Sequence, residues 1–119
     1  MRSFSPLLAA ALLVLGSAAH AQAPPPPKPS DEGHTLALGL CSVCHIAASD
    51  QVGTPVMTNP GPPFRTIANR PGVDAAYLRE FLLSTHSTTT PPFTMPNPEL
   101  SDHQTNAVVS YILSLRGQP

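Results

Sequence analysis

The chain has 119 residues, of which 16 are proline, and its aromatics amount to four Phe, two Tyr and no Trp. This is material for one small, loop-rich domain with a thin aromatic core. Six Lys and Arg stand against seven Asp and Glu, a formal charge of −1. No basic stripe interleaves with aromatics, which excludes a nucleic-acid-binding surface, and the single lysine, Lys28, excludes a dense cationic collar for steering toward an acidic partner.

The N-terminus opens with Arg2 and the apolar run Leu7 to Leu15, followed by small residues ending in Ala19-His20-Ala21. That run falls short of the roughly 20 apolar residues a spanning helix requires. Residues 1–21 therefore read as a signal peptide removed on export, with the mature chain starting near Gln22 and without stable membrane insertion. Residues 22–30, which contain Ala23 to Ser30 (APPPPKPS), read as a proline-rich, extended tether. Residues 31–119 form the domain proper. Export places Cys41 and Cys44 in an oxidising compartment.

The first helix is expected to start with Ser30 as N-cap. Asp31 and Glu32 complement the dipole in its first turn, and the helix runs through Leu36, Ala37 and Leu40 toward Cys41. From Ala47 to Pro63 the glycines and prolines forbid regular structure. Phe64 to Arg70 is a short helix candidate. Asp74 begins a clearer one, with Tyr77, Leu78, Phe81 and Leu82 on one face, before a loop from Thr85 to Glu99. The last helix is the best defined. Ser101 and Gln104 form a capping box, Val108, Tyr111, Ile112 and Leu115 share a stripe, and Gly117 ends it. With no strand pattern anywhere, the fold class is all-α, and its connections are long enough to require something to wrap around.

Cys41-Ser42-Val43-Cys44-His45 reads C-x-x-C-H, the pattern for covalent attachment of haem c. Two thiols add across the two vinyl groups of the ring, and the adjacent His45 faces the iron. Three other uses of such cysteines compete. A disulfide would close only a tiny loop, a thioredoxin-type pair needs a βαβ context, and a zinc site needs further ligands. Iron in a haem c site takes a second axial ligand, and a thioether suits iron(II) and raises the potential. The candidates are Met57, Met95, His34, His86 and His103. Met95, in the stiff segment Phe93-Thr94-Met95-Pro96, is the expected partner of His45, with His86 its main rival; Met57 lies close to His45 in the chain, and His34 and His103 sit on helix faces.

With these residues the chain resembles the class I soluble mono-haem cytochromes c of bacteria over about residues 31 to 117. The resemblance implies three main helices and long loops wrapped around one haem, with N- and C-terminal helices crossing. Gly33 matches the family glycine at that crossing, and Tyr111 looks like the aromatic that packs there. Ala37 departs from the family by replacing an aromatic of the first helix. Gly61-Pro62-Pro63-Phe64 is similar to the family segment whose proline carbonyl accepts a hydrogen bond from the proximal histidine. By that resemblance Pro62 orients His45, and Phe64 packs on the haem edge.

The expected function is that of a periplasmic one-electron carrier with His/Met ligation, not an enzyme, exchanging electrons with donor and acceptor proteins through an apolar haem edge. Two alternatives are a fixed relay subunit of a periplasmic dehydrogenase complex and a five-coordinate haem sensor in which Met95 does not bind. Arg65 and Arg70 are candidates for the haem propionates, with a plain surface role as the simpler reading of both. Because haem stands in for the missing aromatic core, the haem-free chain is expected to be largely unfolded.

Overall fold

A computed structural model describes residues 28–84 and 95–118. The expected signal peptide and most of the tether lie outside the described residues, as do the segment 85–94 with His86 and the C-terminal residue. Four helices occur in the order α1 (Pro29–Leu36), α2 (Phe64–Ala68), α3 (Ala75–Leu83) and α4 (Asp102–Ser114). No strand occurs among the described residues, which are all-α as expected.

Helix α1 begins two residues earlier than Ser30 as N-cap predicts. Lys28 occupies the N-cap position without a side-chain cap, and Pro29 takes the first turn, where its fixed φ is already helical and its missing N–H costs nothing. Asp31 and Glu32 lie in that turn as expected. The helix then widens into a π-helical turn over Ala37–Cys41, in which the Ser42 N–H reaches the Ala37 carbonyl at 3.0 Å. The Ser42 hydroxyl donates to the Leu38 carbonyl at 2.6 Å. Such a bulge shifts the angular position of whatever follows it, here the Cys41 to His45 segment.

Helix α2 stops at Ala68, short of Arg70, because Pro71 disfavours helical backbone at the residue before it. Its last carbonyl, that of Ala68, and the Val73 carbonyl beyond it are taken by a residue from the far end of the chain. Arg116 donates from Nε to Ala68 O at 2.9 Å and from Nη2 to Val73 O at 2.5 Å. Helix α3 is capped by Asp74, whose carboxylate accepts from the Tyr77 N–H at 2.8 Å. The stripe expected along α3 divides. Leu78 and Leu82 are buried, whereas Tyr77 is 49 % exposed and stacks on Phe81 outside the core. Helix α4 carries the complete Ser101/Gln104 capping box and buries Val108, Tyr111 and Ile112. Gly117 adopts φ +71° just beyond it, a left-handed conformation that glycine supplies without strain.

Helices α1 and α4 cross at Gly33. A Cβ built there would meet the Ala107 carbonyl oxygen at 2.0 Å and Tyr111 Cβ at 2.7 Å, so only glycine permits this approach. Ala37 is wholly buried, and small residues (Ala37, Ala47, Ala68 and Ala107) fill much of the core. One imidazole–carboxylate pair braces the crossing, His103 of α4 with Glu32 of α1 at 2.8 Å, and a second ties α1 to the following loop, His34 with Asp50 at 2.8 Å. Arg79 of α3 reaches Asn106 and Asp102 of α4.

Gly33→Ala is expected to destabilise the protein by about 3 kcal/mol, the scale of a forced overpacking in a close contact, measured by denaturant unfolding; wild-type stability would contradict the crossing as described. Thr105 is fully buried, and its hydroxyl has no partner among the described residues. Thr105→Val removes an unpaired polar group while keeping the shape, so it is expected to leave stability unchanged or raise it by about 1 kcal/mol.

Candidate functional site

The site begins where the π-helical turn ends. From Cys41 the backbone makes one tight turn, with the Cys44 and His45 N–H groups both donating to the Cys41 carbonyl at 3.1 and 2.8 Å. This turn sets both sulfurs and the imidazole on adjacent positions. Both cysteines are free and half-buried. Burial, and secondarily the neighbouring Cys44, pushes the Cys41 thiol up to about 11, so the unlinked sulfur is protonated at neutral pH.

The loop expected to lack regular structure, Ala47 to Pro63, is ordered by the motif itself. It folds back along the Cys44 side, where Val56 N–H donates to Val43 O at 3.1 Å, Gly61 N–H to Cys44 O at 2.8 Å and Phe64 N–H to Ile46 O at 3.0 Å. These three bonds carry Gly61 and Pro62 to the His45 ring. His45, only 6 % exposed, donates from Nδ1 to the Pro62 carbonyl at 2.8 Å. That bond places the proton on Nδ1 and leaves the Nε2 lone pair as the metal-binding position. A Cβ on Gly61 would stand 2.3 Å from His45 Cε1, so the loop backbone lies directly against the imidazole. Phe64 is buried and its ring centroid is 5.3 Å from that of His45.

The sequence-derived ligand candidates separate clearly. Met57 lies beside Cys44, whose Sγ–H donates to its Sδ at 3.3 Å, and so belongs with the motif's second sulfur. His34 is paired with Asp50 and lies edge-on to Tyr111, and His103 is paired with Glu32. Met95 is half-buried and packs against the core. His86 lies outside the described residues. Arg65 and Arg70 are exposed and, among the described residues, form no ion pair.

Three features of this neighbourhood carried no recognisable sequence signal. The first is Gln51, which accepts the Ala47 N–H at 2.8 Å. The second is the Tyr111 hydroxyl, which donates to the Ala47 carbonyl at 3.1 Å across 64 residues of chain. The third is the His34–Asp50 pair, in which the bond from His34 chiefly holds the Asp50 carboxyl below its ordinary value.

A turn presenting two thiols and one Nδ1-anchored imidazole, held between crossed helices and a proline loop, defines a protein that carries a covalently linked metal macrocycle. The comparisons with known proteins agree. The cytochrome c family model matches residues 30–116, and the chain is similar to cytochrome c-552 of Bradyrhizobium diazoefficiens, 34 % identical over 89 residues that cover 73 % of this chain and 77 % of that protein. The chain belongs to the cytochrome c family. No solved structure matches. Among the described residues no helix is long and apolar enough to cross a membrane.

The residues present fit the family's covalent haem c. The donor set is two thiols and an imidazole whose other nitrogen is already bonded. Around it Leu40, Val43, Ile46 and Met57 remain about half exposed (49–52 %), an apolar rim suited to an apolar ring. Among the described residues the buried core has two aromatic side chains, Phe64 and Tyr111, and several alanines.

Gly61→Ala is expected to push the imidazole off the Pro62 carbonyl and to cost about 1–3 kcal/mol in denaturant unfolding of the haem-loaded protein; an unchanged midpoint would contradict the contact. The depressed Asp50 carboxyl has a defined sign. Its contribution is present above the unfolded carboxylate pKa of about 4 and is lost as pH falls through the lower folded value. In Asp50→Asn this acid-side dependence is expected to disappear from a stability–pH series, as a small effect because Asp50 is exposed.

Proposed function

We propose that the protein is an exported, periplasmic one-electron carrier that binds a single haem c through Cys41 and Cys44, with His45 and Met95 as axial ligands. The observation that carries this reading is the His45 Nδ1–Pro62 hydrogen bond at 2.8 Å with Gly61 against the ring. It fixes the tautomer that iron binding requires. Membership of the cytochrome c family and likeness to a cytochrome c-552 support haem-based electron transfer. The sequence contains one C-x-x-C-H motif and no other cysteine, which supports a single haem. The apolar N-terminal run and the Ala19-His20-Ala21 site support export.

Met95 is favoured as second ligand by elimination among the described residues. Met57 is beside Cys44, and His34 and His103 are bonded to carboxylates. Haem c supplies a reversible one-electron change at iron, and this chain's work is to hold its donor atoms still and keep water away. The π-helical turn sets the angle of the motif, the Cys41–His45 turn holds both sulfurs and the imidazole, and Pro62 holds the Nδ1 proton. Phe64 and the small-residue core exclude water from the histidine side. Phe64 also borders the haem in this reading.

Between Leu40 and Phe64 the only charged residue is Asp50. Partner proteins, donor and acceptor alike, therefore meet an apolar edge at Val43, Val56 and Met57.

Replacing Met95 by Ala is expected to abolish the sulfur–iron charge-transfer band of the oxidised protein and to convert the low-spin spectrum to a high-spin, carbon-monoxide-reactive one. Retention of the band would reject Met95. Electron-exchange rates with a redox partner are expected to change little with ionic strength; a steep fall would contradict apolar docking.

A further inference from the structure

We infer that Gln51 is a positioning residue for His45, acting through the peptide group of Ala47; the inference rests on His45 being the iron-binding imidazole. Ala47 follows His45 by two residues and is wholly buried, so its peptide has no water to bond. If the motif turn continued as a helix, the Ala47 N–H would donate to the Val43 carbonyl four residues back. That carbonyl is already taken by Val56 N–H at 3.1 Å. The Gln51 Oε1 receives the Ala47 N–H instead, at 2.8 Å, while its Nε2 donates onward to the Gly53 carbonyl at 3.4 Å.

One side-chain amide thus does two things. It turns the chain out of the motif immediately after the imidazole, and it leaves the Val43 carbonyl to the returning loop that brings Gly61 and Pro62 to the ring. From the other side the Tyr111 hydroxyl fixes the Ala47 carbonyl at 3.1 Å. The backbone of Ala47 is therefore anchored on both sides, its N–H to its own loop by Gln51 and its carbonyl to the helix crossing by Tyr111. His45 lies between this anchor and the Pro62 carbonyl, and the orientation of its ring about the metal-binding axis depends on both.

The test uses the full-length, haem-loaded protein. The orientation of an axial imidazole governs how unpaired spin is shared among the four haem methyls, so the proton NMR shift pattern of the oxidised protein reads ring angle rather than stability. In wild type the Ala47 amide is expected to exchange slowly. Q51L removes both bonds, and is expected to speed Ala47 exchange roughly five- to tenfold, the ratio set by one net hydrogen bond, and to rearrange the methyl pattern. Q51E keeps the acceptor for Ala47 N–H and is expected to restore slow exchange and the wild-type pattern. An unchanged methyl pattern in Q51L, even with a lower melting temperature, would reduce Gln51 to a loop-stabilising residue and overturn the inference. So would free exchange of Ala47 in wild type, a result that needs no variant to fold. A wild-type chain without a c-type absorption spectrum would instead overturn the haem reading beneath it.

Discussion

The hydrogen bond from His45 Nδ1 to the Pro62 carbonyl is the constraint around which the rest of the molecule is arranged. An imidazole presents Nε2 to a metal reliably only if Nδ1 keeps its proton and the ring cannot swing. A single hydrogen bond across 17 residues of loop does not secure that alone, because the loop must be held to the motif. The carbonyls of Val43, Cys44 and Ile46 do this through their bonds to Val56, Gly61 and Phe64. Gly61 is demanded by the same geometry, since any side chain there would occupy the ring's space.

The second constraint is the α1–α4 crossing, and it is not independent of the first. Gly33 lets the helices approach until the Ala107 backbone is in contact, and Tyr111 stands at that contact with its hydroxyl on Ala47. Burial raises the Tyr111 phenol above its ordinary value, with Asp50 adding to the effect, so it remains a donor throughout the neutral range. One side chain thereby ties the helix crossing to the backbone leaving His45. Ala37, where the family resemblance has an aromatic, is wholly buried. A core of small residues brings the helices close but contributes little apolar area, and haem c supplies area that these side chains do not.

What was legible in the sequence is what is decided over a few residues. The capping box of α4 needs only neighbours three positions apart and stands as read, and Asp74, read as the start of α3, caps it. The C-x-x-C-H turn, Gly33 and Gly61-Pro62 were legible as family features, and Pro62 meets His45 as the resemblance implied. Decisions made by tertiary contact were not legible. Nothing local marks the π-helical turn or moves the start of α1 from Ser30 to Lys28. Tyr77 belongs to the apolar stripe by periodicity and yet lies outside the core. Gln51, Arg116 and the Asp50 carboxylate are ordinary loop residues until the folded chain shows which backbone or imidazole groups they serve.

The measurement that tests this account most directly is nitrogen-15 NMR of the His45 ring in the reduced, diamagnetic, haem-loaded protein. The account predicts an Nδ1 that carries a slowly exchanging proton with a coupling across the hydrogen bond to Pro62, and an Nε2 shifted by iron. An Nδ1 proton in rapid exchange with water, or iron bound through Nδ1, would contradict it.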